Sequence, residues 1–275
     1  MNQPSDSSLL PAAQEFMDYL IFSKNKKTAY NYSRNVNAFL KFVNKPLKDI
    51  TPMDITKWFN ALRAEDHSDR TLARYGWALR SFFEVKGMTY LQLNTPIVQY
   101  NAAEPEWLDE PTTFKVIGRV PVLCVAYDLA LRVGEVGLLK KRGFNNKTGD
   151  ILVTRLKHKG QANTYTLKLD SWCLEILNRY LETHPKLDIL FPFSVKLLQK
   201  TFTDHAQAIP LKGDCTFHSL RHSRITHIAI RQLEEKGVVD ELSLAKFAGH
   251  LRVETTRMYV HLATKYMAFG RKGKI

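Results

Sequence analysis

Toward the end of this 275-residue chain, arginine, histidine and tyrosine recur at spacings suited to attack on a phosphodiester. His218 and Arg221 stand three apart in C-T-F-H-S-L-R-H (215–222), His250 closes F-A-G-H (247–250), and Tyr259 follows nine residues later in T-T-R-M-Y. Upstream, Arg132 sits in L-A-L-R-V-G-E-V with Glu135 three residues on, and Lys157 and Lys159 lie in R-L-K-H-K-G. A phosphodiester repels nucleophiles, and its five-coordinate transition state gathers negative charge on the non-bridging oxygens. Guanidiniums, charged at every relevant pH, present paired donors to those oxygens. A phenol with a pKa of about 10 must lose its proton as it attacks, and His218 is the expected acceptor. A lysine can supply the proton that the leaving oxygen needs.

Each piece also has a plainer reading. His218 and His222 are four apart, a spacing that on a helix can hold zinc, but the hydrolytic motif requires Glu after its first His and this chain has Ser219. Arg221 between the histidines would also repel a dication. Alone, this segment reads as two histidines and an arginine on a helix surface, and any single tyrosine reads as half-buried core. The ordered set outweighs its members.

These residues need elements to hold them. Residues 9–21 and 27–43 space apolar side chains three and four apart, as amphipathic helices do. Thr51, Pro52 and Asp54 read as N-cap, first position and favourable acid of a third helix, and Ser68 caps a fourth. Residues 1–95 thus make a small helical domain, 96–106 a linker with no clear period, and 107–275 a second domain. In the second, early helices run to about Leu139, the last carrying Arg132. Gly134 and Gly137 inside that pattern cost about 1 kcal/mol each, which implies close packing there. Two strands of a hairpin follow at 151–157 and 164–169, then helices at 171–183 and 194–207, each opening on a serine that can cap it. His218, Arg221 and His222 share a helix face, Gly249 ends a helix after Phe247, and Tyr259 faces inward from the next. The fold class is mainly α with a small antiparallel β region, in two domains.

Charge points to a polyanion. Lys plus Arg number 40 against 27 Asp plus Glu, a net +13; residues 1–104 hold 13 basic and 10 acidic side chains, residues 105–275 hold 27 and 17. Lys24, Lys26, Lys27, Arg34, Arg70, Arg74 and Arg80 on the helical domain, and Lys140 and Lys141 on the second, are candidates for a phosphate backbone. The three cysteines, Cys124, Cys173 and Cys215, form no C-x-x-C pair, which fits a reduced interior and gives no zinc site. No secretory signal or membrane-length apolar stretch is visible, so a cytoplasmic or nucleoid location is expected.

Arginine, lysine, H-x-x-R, G-H and a tyrosine nine residues on, in that order across 132–259, resemble the tyrosine recombinase (phage integrase) family, and the resemblance covers 105–261. It implies that Arg132 and Arg221 are the family's two arginines, His218 and His250 its accessory positions, Tyr259 the nucleophile, and Glu135 a supporting acid. Lys159 is the implied lysine, with Lys157 as the alternative because this turn is about one residue short. It further implies a C-shaped clamp on duplex DNA, a 3′-phosphotyrosyl link, and strand exchange through a Holliday junction in a homotetramer, or a heterotetramer with a related recombinase, with no cofactor, metal or ATP. The first helix near residue 9 leaves no room for an arm-binding domain, so a Xer-type or small mobile-element enzyme is expected. In the tail 260–275, Leu262, Tyr266, Met267 and Phe269 offer an apolar face for a neighbouring protomer, and Arg271, Lys272 and Lys274 a basic end. The competing readings are a non-catalytic DNA-binding protein of the same fold, for which Tyr259 has no use, and a type IB topoisomerase-like relaxing enzyme.

Overall fold

The computed structural model describes residues 9–100, 104–156, 162–211 and 214–270. The chain forms two compact units, Met1–Ala103 and Glu104–Ile275.

Among the described residues, five α-helices build the first unit: α1 (Pro11–Ser23), α2 (Lys26–Val43), α3 (Pro52–Ala64), α4 (Asp69–Val85) and α5 (Thr89–Asn94). Their starts follow the chemistry of the side chains at hand. Asn25 accepts from the Thr28 amide, Ser68 accepts from the Thr71 amide, and Thr51 with Asp54 closes a capping box over α3. Phe16, Phe39, Trp58, Phe82 and Phe83 interlock edge to face in the core, with Phe16 and Phe82 5.4 Å apart and Phe39 and Trp58 5.2 Å apart. Gly76 on α4 admits the backbone following α5: a Cβ there would stand 2.8 Å from the Pro96 carbonyl oxygen.

In the second unit, α6 (Glu110–Ile117), α7 (Pro121–Asp128) and the single-turn α8 (Val133–Val136) precede a hairpin of β1 (Asp150–Leu156) and β2 (Ala162–Lys168), paired antiparallel with Val153 opposite Tyr165. Five helices complete it: α9 (Ser171–Thr183), α10 (Val195–Gln207), α11 (Phe217–Lys236), α12 (Glu241–Ala248) and α13 (Glu254–Phe269). One core packs α7, α9, α10 and the inner face of β1 through Leu123, Cys173, Phe202, Ile151 and Val153; a second, between α11, α12 and α13, contains Tyr259 itself. Buried Arg224 joins α11 to α7 and α9, donating from Nε to the Asp128 carbonyl at 3.1 Å and from Nη2 to the Asp170 carboxylate at 2.8 Å. Among the described residues, no helix is long and apolar enough to cross a membrane.

The mainly α fold with one small antiparallel hairpin is as expected, but several local readings change. Arg132 is not inside a helix. α7 stops at Asp128, Ala130 takes a left-handed φ of 48°, and Arg132 becomes the extended N-cap of α8. Nothing lies within 4 Å of a Cβ built at Gly134 or Gly137, so the expected close packing is missing; α8 is a single turn that buries Glu135 and Val136 and leaves Gly134 exposed. Ser194 caps α10 as expected, whereas Ser171 already lies within α9 behind Asp170, whose carboxylate turns to Arg224. Residues 260–269 are no separate tail but continue α13. There Leu262 is buried and Tyr266 meets the Trp107 ring edge-on at 5.6 Å, so both pack within their own unit; Met267 and Phe269 face outward. Arg271, Lys272 and Lys274 lie outside the described residues.

Candidate active site

Two buried arginines meet at one carbonyl. On α11, Arg221 is 1% exposed and donates from Nη1 to the Ala130 carbonyl at 2.6 Å and from Nη2 to the Ala248 carbonyl at 2.5 Å. On β1, Arg155 is 3% exposed and reaches the same Ala130 carbonyl at 3.3 Å, the Leu129 carbonyl at 3.1 Å and the Phe247 carbonyl at 3.0 Å. The left-handed turn at Ala130 aims that carbonyl inward, so the break between α7 and α8 serves the site.

The two guanidiniums differ in their counter-ions. Arg155 pairs with the Glu135 carboxylate at 2.6 Å, and Glu135 also accepts from the backbone amide and Nη1 of Arg132, each at 2.9 Å. Burial works against the Glu135 charge, yet Arg155 and Arg132 hold its carboxyl below the usual range. Among the described residues no carboxylate forms an ion pair with Arg221; its partners are neutral carbonyls. Burial, with the charges of Arg132 and Arg155, pulls it down to about 9, still protonated at neutral pH. Arg132, whose side chain is 39% exposed, stands at the rim with one bond to Glu135. A buried cation lacking an anion and a half-exposed cation beside it make a receptor for an anion from outside.

Tyr259 lies 2% exposed on α13 among imidazoles. Its hydroxyl is 2.7 Å from His222 Nδ1, and the rings of His222 and His250 lie near-parallel to the phenol, at 28° and 16° with centroids 5.7 and 5.6 Å away. His250 is placed by the end of α12. Gly249 takes φ 66°, the His250 amide bonds back to the Ala245 carbonyl at 2.9 Å, and His250 Nδ1 meets Thr256 Oγ1 at 2.9 Å. A Cβ at Gly249 would stand 3.2 Å from Arg155 Cδ, so only glycine suits both the turn and the guanidinium beneath it. Burial, then neighbouring positive charge from Arg221 among others, holds His250 down to about 4 and lowers His218 as well. His222 goes down to about 3 through burial, His218, Arg221 and His250. Burial raises the Tyr259 phenol, against the opposing pull of Arg221 and Arg132.

The structure therefore brings Arg132, Glu135, His218, Arg221, His250 and Tyr259 into one site. It departs from the expectation that His218 is the tyrosine's partner: the recorded hydrogen bond is to His222, and His218 instead meets the His222 ring edge-on at 4.5 Å. Lys157 and Lys159 lie outside the described residues. Among the described residues there is no group of three or more His, Cys, Asp or Glu that could hold a metal ion. Sequence reasoning missed Arg155, although there was a signal: it shares strand parity with Ile151 and Val153, an arginine on the buried face of a strand. His222 was considered only as a zinc ligand, and no local pattern links it to a tyrosine 37 positions away.

On the helical unit, α2 and α4 flank a groove of about 430 Å³ lined by Tyr32, Arg34, Arg74 and Tyr75 among others. Arg34 lies over the Tyr30 ring at 5.8 Å and Lys24 over Tyr32 at 5.9 Å. Lys26, Lys27 and Arg70 are exposed. Arg80 leaves the expected set of phosphate contacts, because its Nη1 donates to the Gln92 and Thr95 carbonyls at 3.1 and 3.2 Å. Lys140 is exposed, and Lys141 Nζ donates to the Pro185 carbonyl at 2.6 Å.

Comparison with known proteins agrees with this geometry. The profile of the phage integrase N-terminal SAM-like domain matches residues 13–86, and that of the phage integrase family matches residues 110–265, more than half of the chain. The chain belongs to the phage integrase family. A tyrosine recombinase of Thermosipho africanus is 26% identical over 90% of this chain and 94% of its own. The XerA tyrosine recombinase of Pyrococcus horikoshii is 25% identical over 92% of this chain and 90% of its own. In fold, the crystal structure of a lambda integrase tetramer bound to a Holliday junction matches with a TM-score of 0.71 at 18% identity, over 93% of this chain and 78% of that one. This recombinase is thus an enzyme of site-specific DNA breaking and rejoining, and the cluster around Tyr259 is its candidate centre.

Proposed function

We propose that Tyr259 attacks a scissile phosphodiester in a DNA site held by Arg132 and Arg221, leaving a 3′-phosphotyrosyl link and a free 5′-hydroxyl. The observation that carries this reading is the buried Arg221 guanidinium, charged and without a carboxylate, in one site with the Tyr259 phenol. Two guanidiniums stabilise the charge that builds on the non-bridging oxygens, and His218 and His250 supply further donors. Glu135 orients Arg132 through two hydrogen bonds and does no chemistry itself. Lys159, or Lys157 as the alternative, protonates the leaving 5′-oxygen. Because the covalent link conserves the bond energy, a second 5′-hydroxyl can reverse the step on a new partner strand without ATP.

In this reading residues 1–95 bind DNA, with Lys24, Lys26, Lys27, Arg34, Arg70 and Arg74 on backbone phosphates, and 107–275 carry the chemistry with Lys140 and Lys141 as further contacts. Four protomers, of one kind or of two related kinds, exchange strands through a Holliday junction in the cytoplasm, as Xer-like dimer resolution or as integration and excision of a mobile element. The structural relative on a Holliday junction supports this assembly.

The test is incubation with a nicked suicide duplex carrying a library-selected site, with EDTA present, followed by a denaturing gel. Wild type should yield a protein–DNA band and Tyr259→Phe none. Tight binding with no covalent band from wild type would sink the reading in favour of a non-catalytic binder.

A further inference from the structure

We propose that His222 is a catalytic residue of this reaction, the group that holds the Tyr259 hydroxyl and takes its proton during attack. The inference rests on the reading of Tyr259 as nucleophile. Its support is geometric. The Tyr259 hydroxyl is buried, and the one hydrogen-bond partner recorded for it among the described residues is His222 Nδ1 at 2.7 Å. A buried hydroxyl requires an acceptor for its hydrogen. If Nδ1 carried the proton it would donate to the phenolic oxygen and leave the hydroxyl hydrogen without a partner. The satisfied arrangement therefore has Nδ1 accepting and Nε2 protonated.

Burial first, and then the neighbours, keep that imidazole neutral. His218 and Arg221 face it from α11, His250 from the loop after α12 and Tyr259 from α13; no carboxylate is among them. A neutral imidazole is a competent acceptor, and the arriving phosphodiester supplies the negative charge that stabilises the imidazolium once formed. His250 is engaged elsewhere through Nδ1 to Thr256, and His218 meets the His222 ring edge-on with no hydrogen bond to Tyr259 among the described residues. In the forward step the Oη–H bond breaks and its proton passes to Nδ1 as Oη bonds to phosphorus. The bond from phosphorus to the 5′-oxygen breaks, and that oxygen takes its proton from the lysine. On rejoining, His222 returns its proton to the phenolate.

The test uses the full chain and two nicked suicide duplexes carrying a library-selected site, one natural and one with sulfur replacing the 5′-bridging oxygen. A thiolate leaves without protonation, so this substrate removes the need for an acid and retains the need for a base. His222→Ala should slow covalent capture by about 10²–10⁴-fold on both duplexes. Lys159→Ala or Lys157→Ala, whichever is slow on the natural duplex, should recover on the sulfur one. His222→Asn can accept the hydroxyl hydrogen but cannot carry its proton. It should stay slow and speed up with rising pH, where wild type is flat, while site binding by gel shift matches wild type. A His222→Asn enzyme within threefold of wild type at every pH would overturn the inference, leaving the role of Tyr259 intact provided Tyr259→Phe stays inactive. Recovery of both His222 variants on the sulfur duplex would also overturn it, by assigning His222 to the leaving group.

Discussion

Replacing Arg155 by Met removes the cation that ties β1 to the turn after α7, to Glu135 and to the end of α12. Its guanidinium makes four bonds, to Glu135 and to the carbonyls of Leu129, Ala130 and Phe247. The Ala130 carbonyl keeps Arg221 and Glu135 keeps the half-exposed Arg132, but the other two carbonyls are orphaned. Breaking a buried ion pair from one side costs about 3–5 kcal/mol, equivalent to about 10²–10⁴ in the unfolding constant. The cysteines provide a unit-specific probe, because Cys124, Cys173 and Cys215 all lie in Glu104–Ile275 and the first two are fully buried. Labelling of Cys124 and Cys173 by a thiol reagent under native conditions, where reclosing outpaces reaction, should accelerate by that factor in Arg155→Met. Arg155→Lys should fall between, keeping charge without the fork. Gly249→Ala should move the same way by a smaller amount, from about 1 kcal/mol of left-handed strain and a Cβ pressed on Arg155. If Arg155→Met labels within threefold of wild type, Arg155 is no keystone.

Two further outcomes are expected. Arg34→Ala and Arg74→Ala, whose side chains line the groove between α2 and α4, should each weaken duplex binding across sequences and lower the slope of log affinity against log salt by roughly 0.9; unchanged slopes would remove that groove from the DNA interface. Asp54, hydrogen-bonded by Lys45 and by the Thr51 amide, is held down to about 2 from an ordinary 3.8, so its contribution to stability is complete above pH 3.8 and disappears as pH falls toward 2. Acid unfolding followed by fluorescence of Trp58 and Trp77, with Trp107 and Trp172 replaced by Phe, should lose that part of its pH dependence in Asp54→Asn. An unchanged profile would count against the ion pair.

Helix starts and the glycine at 249 were legible because they depend on local chemistry: Thr51 with Asp54, Ser68, Ser194, and a left-handed residue after α12. The ordered residues of the site were legible for a different reason, since their order and spacing across 132–259 follow the pattern of the phage integrase family. What escaped depends on packing between distant segments. That Arg132 lies outside a helix follows from Ala130 adopting a conformation for which alanine has no preference, sustained by two arginines far along the chain. The partner of Tyr259 follows from the packing of α11 on α13, and α11 offers two histidines one turn apart between which spacing cannot choose.

Arg221 without a counter-ion has a thermodynamic consequence. A buried guanidinium satisfied, among the described residues, by carbonyl dipoles leaves the folded state less stable than its packing would allow, and on the proposed reading the scissile phosphate makes good that deficit. On that reading, folding and DNA binding are linked through one charge.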